Sequence, residues 1–191
     1  MAVKAPERLH YTGVDEADEL IAQDPFALLV GFALDQQVPV QTAFTGPLKL
    51  KQRLGTLEPA AVAATELGRL EEIFREKPAV HRFPDSMAAR VQELASLVAE
   101  EYGGDASRLW RAAGDADELR RRISALPGFG QMKVKALGAV LWKRFGVAVA
   151  EELDPGHPTL GDVDSPEALE DYQAKKREHK KEWTKAKAPA G

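Results

Sequence analysis

No cysteine occurs among the 191 residues, which excludes disulfide bonds and any iron–sulfur cluster held by cysteine thiolates. No apolar run approaches the ~20 residues that a helix needs to span a bilayer. The first residues, MAVKAPERLHYTG, hold no apolar signal core, so a cytoplasmic protein without a membrane partner is expected. Alternation of apolar and polar residues never persists long enough for a sheet, and no internal repeat is present. His10, His81, His157 and His179 are scattered without a zinc-ligand spacing, and neither a metal nor a cofactor is expected. An excess of positive charge is missing too. The net charge is −4, which by itself argues against a nucleic-acid partner, because phosphate contacts need Lys and Arg.

The distribution of charge softens that objection. From Tyr172 to Gly191 seven Lys/Arg stand against two acids, a net of +5, which leaves −9 on residues 1–171. A basic C-terminal segment therefore rides on an acidic body. Hydrophobic residues make up 44% of the chain and mean hydropathy is −0.34, so a substantial core is affordable as one domain or two apposed lobes. Helical spacing or composition marks segments 15–23, 25–35, 40–53, 57–67, 68–76, 86–102, 105–113, 116–125, 131–145 and 166–183. Breaks fall at Pro25, Pro39, Gly46-Pro47, Pro78, Pro84, Gly103-Gly104 and Pro127. An all-α fold is expected. Residues 1–24 form an N-terminal segment packing with a C-terminal lobe, and 25–146 a central helical domain. Residues 147–183 supply a connector and C-terminal helix, and 184–191 a basic, disordered tail.

The turn Leu126-Pro127-Gly128-Phe129-Gly130 separates two apolar-periodic halves within residues 116–145. Pro127 cannot continue the helix before it, since it lacks an amide hydrogen and its ring clashes with the preceding turn. Gly128 and Gly130 permit positive φ and close backbone approach to a ligand. A new helix opens after Gly130, so unpaired amides point out of its first turn and attract an anion such as phosphate. Gly128, Phe129, Gly130, Lys133 and Lys135 are the candidate contacts. A helix, Pro-Gly turn and helix also occur in many α proteins with no such task.

Far upstream, Asp24-Pro25-Phe26-Ala27-Leu28-Leu29-Val30-Gly31-Phe32-Ala33-Leu34-Asp35-Gln36-Gln37-Val38 is an apolar helix ending in a Gln-Gln loop. The loop and the hairpin, about ninety residues apart and in this order, resemble the HhH-GPD superfamily of DNA glycosylases, here in a cysteine-free bacterial branch. The resemblance covers roughly residues 24–146, and 160–183 more loosely. It implies a two-lobed helical fold with a helix-hairpin-helix and no iron–sulfur cluster. It also implies base excision from double-stranded DNA carrying a damaged base, by a monomer. Lack of cysteine points toward relatives resembling 3-methyladenine or 8-oxoguanine glycosylases.

The family's Schiff-base lysine falls on Met132 of LPGFGQM, and Lys133 lies ~100° further around the helix. The departure implies a monofunctional enzyme in which water attacks, with Lys133 and Lys135 a solvated or phosphate-facing pair. Such an enzyme still needs a carboxylate to stabilise positive charge on the deoxyribose ring and to orient water. The family's Val-Asp-Thr string resembles Val163-Asp164-Ser165, which makes Asp164 the candidate; Asp154, nearer the usual spacing, and Asp162 are rivals. Asp164 or Ser165 before Pro166 equally suits a plain helix start.

Gln36, and after it Gln37, match the loop whose amide fills the gap left by a flipped nucleotide, because an amide both donates and accepts. Phe32, Phe44, His81 and Phe83 are candidates for the walls of a base pocket, although Phe is commonly core. Trp110, Trp142 and Trp183 are assigned to packing. Lys175, Lys176, Arg177, Lys180 and Lys181 are candidate phosphate contacts. The competing reading is a helix-hairpin-helix module that binds DNA or a protein without catalysis.

Overall fold

A computed structural model describes residues 5–188, and these are all α-helix, short 3₁₀ turns and loops. The helix at the centre of the fold is α2 (Pro25–Leu34). Asp24 starts it by accepting from the amides of Phe26 and Ala27 at 2.9 and 3.3 Å, and Pro25 supplies a preset φ at its first position. Every residue after Pro25 in this helix is buried. A helix apolar all round must be enclosed by others. Enclosure comes from α1 (Asp15–Gln23), α3 (Val40–Leu54) and α6 (Pro84–Tyr102), all packed against it. Gly46 of α3 allows the closest approach, since a Cβ there would lie 2.4 Å from Leu34 Cδ1.

The short helices α4 (Pro59–Ala64) and α5 (Leu67–Arg75) pack on α6. On the other side α7 (Arg108–Arg111) leads into α8 (Ala116–Ser124) and α9 (Gln131–Lys143). Two 3₁₀ turns, Ala148–Leu153 and Leu160–Asp162, lie along α9, and α10 (Pro166–Lys187) closes the described chain. One continuous buried cluster runs from Leu9 to Leu169 through both sides. The stretch 147–165 is therefore pinned into place. Tyr11 does much of the pinning: its hydroxyl donates to the Leu160 carbonyl at 2.8 Å and its ring meets Phe44 edge-on at 5.1 Å. Buried Asp18 holds that strand of chain by accepting from the amides of Tyr11 and Thr12.

The helical segments read from periodicity recur with ends shifted by a few residues in either direction, and the break expected at Gly46-Pro47 is absent, both residues lying inside α3. The largest extension is at the C-terminal helix, because α10 runs past residue 183 to Lys187, where a disordered tail was expected. Lys, Glu and Ala are strong helix formers, and they outweigh the charge repulsion there. The rest of that expected tail, residues 189–191, lies outside the described residues.

Gly161 sets the distance between the second 3₁₀ turn and α9. A Cβ there would stand 2.6 Å from the Ala139 carbonyl oxygen and 2.8 Å from its carbon, and backbone cannot yield as a side chain can. Gly161→Ala is expected to destabilise the fold by about 1–3 kcal/mol in denaturant unfolding. A change below about 0.5 kcal/mol, the range of ordinary surface substitutions, would contradict this packing.

Candidate functional site

The buried end of α2 generates the polar centre of the molecule. A helix leaves its last four carbonyls without helical partners, and at a buried end something else must satisfy them. Lys133 Nζ, from the first turn of α9, donates to the Ala33 carbonyl at 3.2 Å. His81 serves the next carbonyl. Its Nδ1 accepts from the Phe83 amide at 3.0 Å, so Nε2 carries the proton and is shared between the carbonyls of Leu34 (3.0 Å) and Gln36 (3.1 Å). Arg90 of α6 donates to Gln36 Oε1 at 2.8 Å. The Gln loop and the hairpin, far apart in sequence, thus meet at one seam.

Asp35 sits in this seam, partly buried and without an ion pair within 4 Å among the described residues. Burial pushes its carboxyl above the usual range, and the Lys176 and Lys133 charges pull it back in part. Lys133 is displaced the opposite way, to about 8, chiefly by burial; the Asp35 charge opposes that shift and Arg90 adds to it. Burial also raises the Tyr172 phenol of α10 to about 12, with the Asp35 charge contributing. His81 is held below its ordinary value by burial. Burial thus favours the neutral forms of both the Asp35 carboxyl and the Lys133 amine.

The hairpin turn faces solvent beside the seam. Gly128, Gly130, Gln131 and Met132 are exposed, Met132 at 86%. No side chain caps α9, and Val134 is the first amide of its opening turn to find a carbonyl, that of Gly130 at 3.0 Å. Gly128 has φ +77° and a Cβ there would meet the Arg90 guanidinium at 2.8 Å. Gly130 differs from expectation: its φ is −81°, open to any residue, and a Cβ there would meet nothing within 4 Å. The fold does not require a glycine at 130.

Several sequence assignments change. Phe129 is buried, with Lys133 Nζ 5.5 Å from its ring centre, so it anchors the turn and its side chain offers nothing to a ligand. Lys133 points inward rather than forming a solvated pair with Lys135, which is exposed. Gln36 is held by Arg90, whereas Gln37 is exposed at φ +58°, a left-handed conformation that costs a non-glycine residue about 1 kcal/mol. Of the two amides, Gln37 is the one whose side chain is free. Phe32 and Phe44 are core partners, edge to face at 5.2 Å. His81 is 2% exposed with both ring nitrogens engaged, so it fastens the fold and reads no base. Of the four pocket candidates Phe83, at 40% exposure, alone reaches the surface. Trp110 is packed, but Trp183 is 57% exposed and does not pack.

The carboxylates chosen from sequence do not join the seam. Asp164 is exposed, and Ser165 beside it takes the capping role by accepting from the Ala168 amide at 3.1 Å. Asp164 precedes the start of α10, and from Pro166 to Tyr172 that helix rises roughly 9 Å. Asp154 and Asp162 both bind Lys143, at 3.1 and 2.8 Å, and Asp162 also closes a capping box with Thr159. Asp35, Arg90 and Tyr172 were missed, and Lys176, read as a phosphate contact, also acts on Asp35. Among the described residues no group of three His, Asp or Glu is arranged to hold a metal ion. No described helix is long and apolar enough to cross a membrane. Comparison with protein-family models, curated proteins and solved structures gave no match.

Titration of Lys133 tests this geometry. Its ammonium should lose its proton near pH 8 by NMR, while that of Asp35→Asn should do so at lower pH, because the charge holding the proton is gone. The folded value lies below the ordinary 10.5, so the charged amine costs stability below about pH 8 and that cost fades as pH rises toward 10.5. An ordinary lysine titration would refute the inward placement.

Proposed function

We propose that the chain binds double-stranded DNA through the hairpin at 126–133 and hydrolyses the bond between a damaged base and its sugar, as a monofunctional glycosylase. The observation that carries this reading is the contact between two distant motifs, Lys133 Nζ on the Ala33 carbonyl, which sets the Gln loop beside an exposed Gly-x-Gly corner. A strand gripped by the amides after Gly130 would lie next to Gln37, whose amide could replace an extruded nucleotide. The extruded sugar would then face Asp35.

In this reading Asp35, not Asp164, is the carboxylate. Its ionised form stabilises positive charge on the ring and accepts a proton from the attacking water. The Lys176 and Lys133 charges favour the ionised form of Asp35 against its burial, and Lys133 offers a cation toward the departing base. Met132, at the family's lysine position, carries no amine, which favours hydrolysis without a lyase step. The role in base excision repair, like membership of the HhH-GPD superfamily and its two-lobed fold, belongs to this proposal.

One observation favours a second reading, a binding module without catalysis. Clefts of about 550, 610 and 300 Å³ open elsewhere on the surface, and none is lined by Asp35, Gln37 or Lys133. Excision would need the seam to open around the flipped base.

Duplexes bearing alkylated, oxidised or deaminated bases, incubated with the protein and then cleaved by alkali, separate the two. Wild type should cut at one lesion class, Asp35→Asn should lose about 10²-fold or more, and Asp164→Asn should stay within a few-fold. Gly130→Val should fold normally yet bind duplex about tenfold more weakly. Cleavage of no lesion with retained binding selects the module; a reversed ranking of the two Asp variants returns the role to Asp164.

A further inference from the structure

The helix α10 continues well beyond the body it packs on. Leu169 is its last buried residue, and the eighteen residues from there to Lys187 span roughly 27 Å. Tyr172 and Trp183 are eleven residues apart, which brings them within ~20° of one another around a straight helix. Each carries a lysine one turn later: Lys176 Nζ lies 5.8 Å from the Tyr172 ring centre and Lys187 Nζ 3.7 Å from that of Trp183. Lys180 flanks the same stripe. At its inner end the stripe enters the seam, where Tyr172 and Lys176 act on Asp35.

A solvated helix has no reason to place a tryptophan on the face that continues its packing stripe. An exposed apolar side chain of that size, rimmed by cations, suits a polyanion that also has flat surfaces. The charge pattern agrees: the segment from Tyr172 onward carries +5 on a chain whose remainder carries −9. We infer that the Tyr172–Lys187 face of α10 is an arm that follows the DNA strand leaving the hairpin, with Lys176, Lys180 and Lys187 on successive phosphates and Trp183 against a sugar or an unstacked base. This rests on the proposed duplex binding and extends its footprint by about six base pairs to one side.

Two variants of equal charge test it, because only one disturbs the face. Lys176, Lys180 and Lys187 changed together to Gln remove the inner stripe; Arg177, Lys181 and Lys185 changed together to Gln remove three charges from the opposite side. Binding is read by fluorescence anisotropy of a labelled duplex containing a tetrahydrofuran abasic analogue, over a series of salt concentrations. The inner triple should lower the salt slope by about 2–3, and the outer triple by less than about 1. Trp183→Ala should weaken binding at least about fivefold. Equal effects of the two triples would overturn the arm, leaving only a diffuse attraction. So would self-association of wild type that the inner triple abolishes, since the arm's partner would then be the acidic body of a second copy. If the arm variants bind like wild type while Gly130→Val does not, the arm fails and the hairpin reading stands; if wild type binds no duplex, the hairpin reading itself fails.

Discussion

An all-apolar helix that ends inside a protein leaves carbonyls with no water to turn to. That constraint organises this molecule. After Leu34 the chain leaves helical geometry, and the carbonyls at the end of α2 require donors from elsewhere. Lys133 and His81 supply them, and the C-terminal dipole of α2 makes a cation at that point favourable. Satisfying one buried helix end thus draws together α9, the segment ahead of α6 and, through Asp35, the face of α10. The cluster is a structural necessity first, and a chemical opportunity because of it.

Convergence of this kind explains what could be read in advance. Helix ends were legible because their signals are local: Pro25 at the start of α2, Pro84 at the start of α6, Gly103 at φ +61° after it. The hairpin was legible for the same reason. Asp35 was not, though it stands inside the motif that drew attention, because the amides beside it had the more familiar role. Its unpaired state exists only once Lys133, Lys176 and Tyr172 are packed around it. Arg90 reads as one more polar residue of a long helix until Gln36 and Gly128 are seen beneath its guanidinium.

The errors share a cause as well. Phe32, Phe44 and Phe129 were read as possible ligand contacts because aromatic residues suit pockets and cores alike, and only burial distinguishes them. Lys133 was read as solvated because one residue of helical rotation separates it from Met132. That rotation does matter, but it carries the amine into the seam and leaves Met132 outside. Trp183 failed in the opposite sense. Tryptophan is so often packed that its placement on an overhanging helix went unread, whereas the eleven-residue interval to Tyr172 was available in the sequence.

Within a few residues the fold tolerates three separate costs: a non-glycine at positive φ in Gln37, a carboxylate without an ion pair in Asp35, and an ammonium displaced from its ordinary titration in Lys133. Each costs on the order of 1 kcal/mol or more. Two of them also have a simple structural remedy, Gly at 37 and Asn at 35, that would keep the backbone where it is. A seam selected for stability alone would drift toward those remedies, since stabilising substitutions are easy to find wherever function does not resist them. Adjacent, unrelieved costs beside an exposed amide nest therefore argue for a ligand that uses them. The polarity of the cluster narrows its chemistry, with cations from two helices acting on one carboxylate and an open turn of backbone donors. That arrangement suits an anionic chain passing over a centre where positive charge must briefly be held.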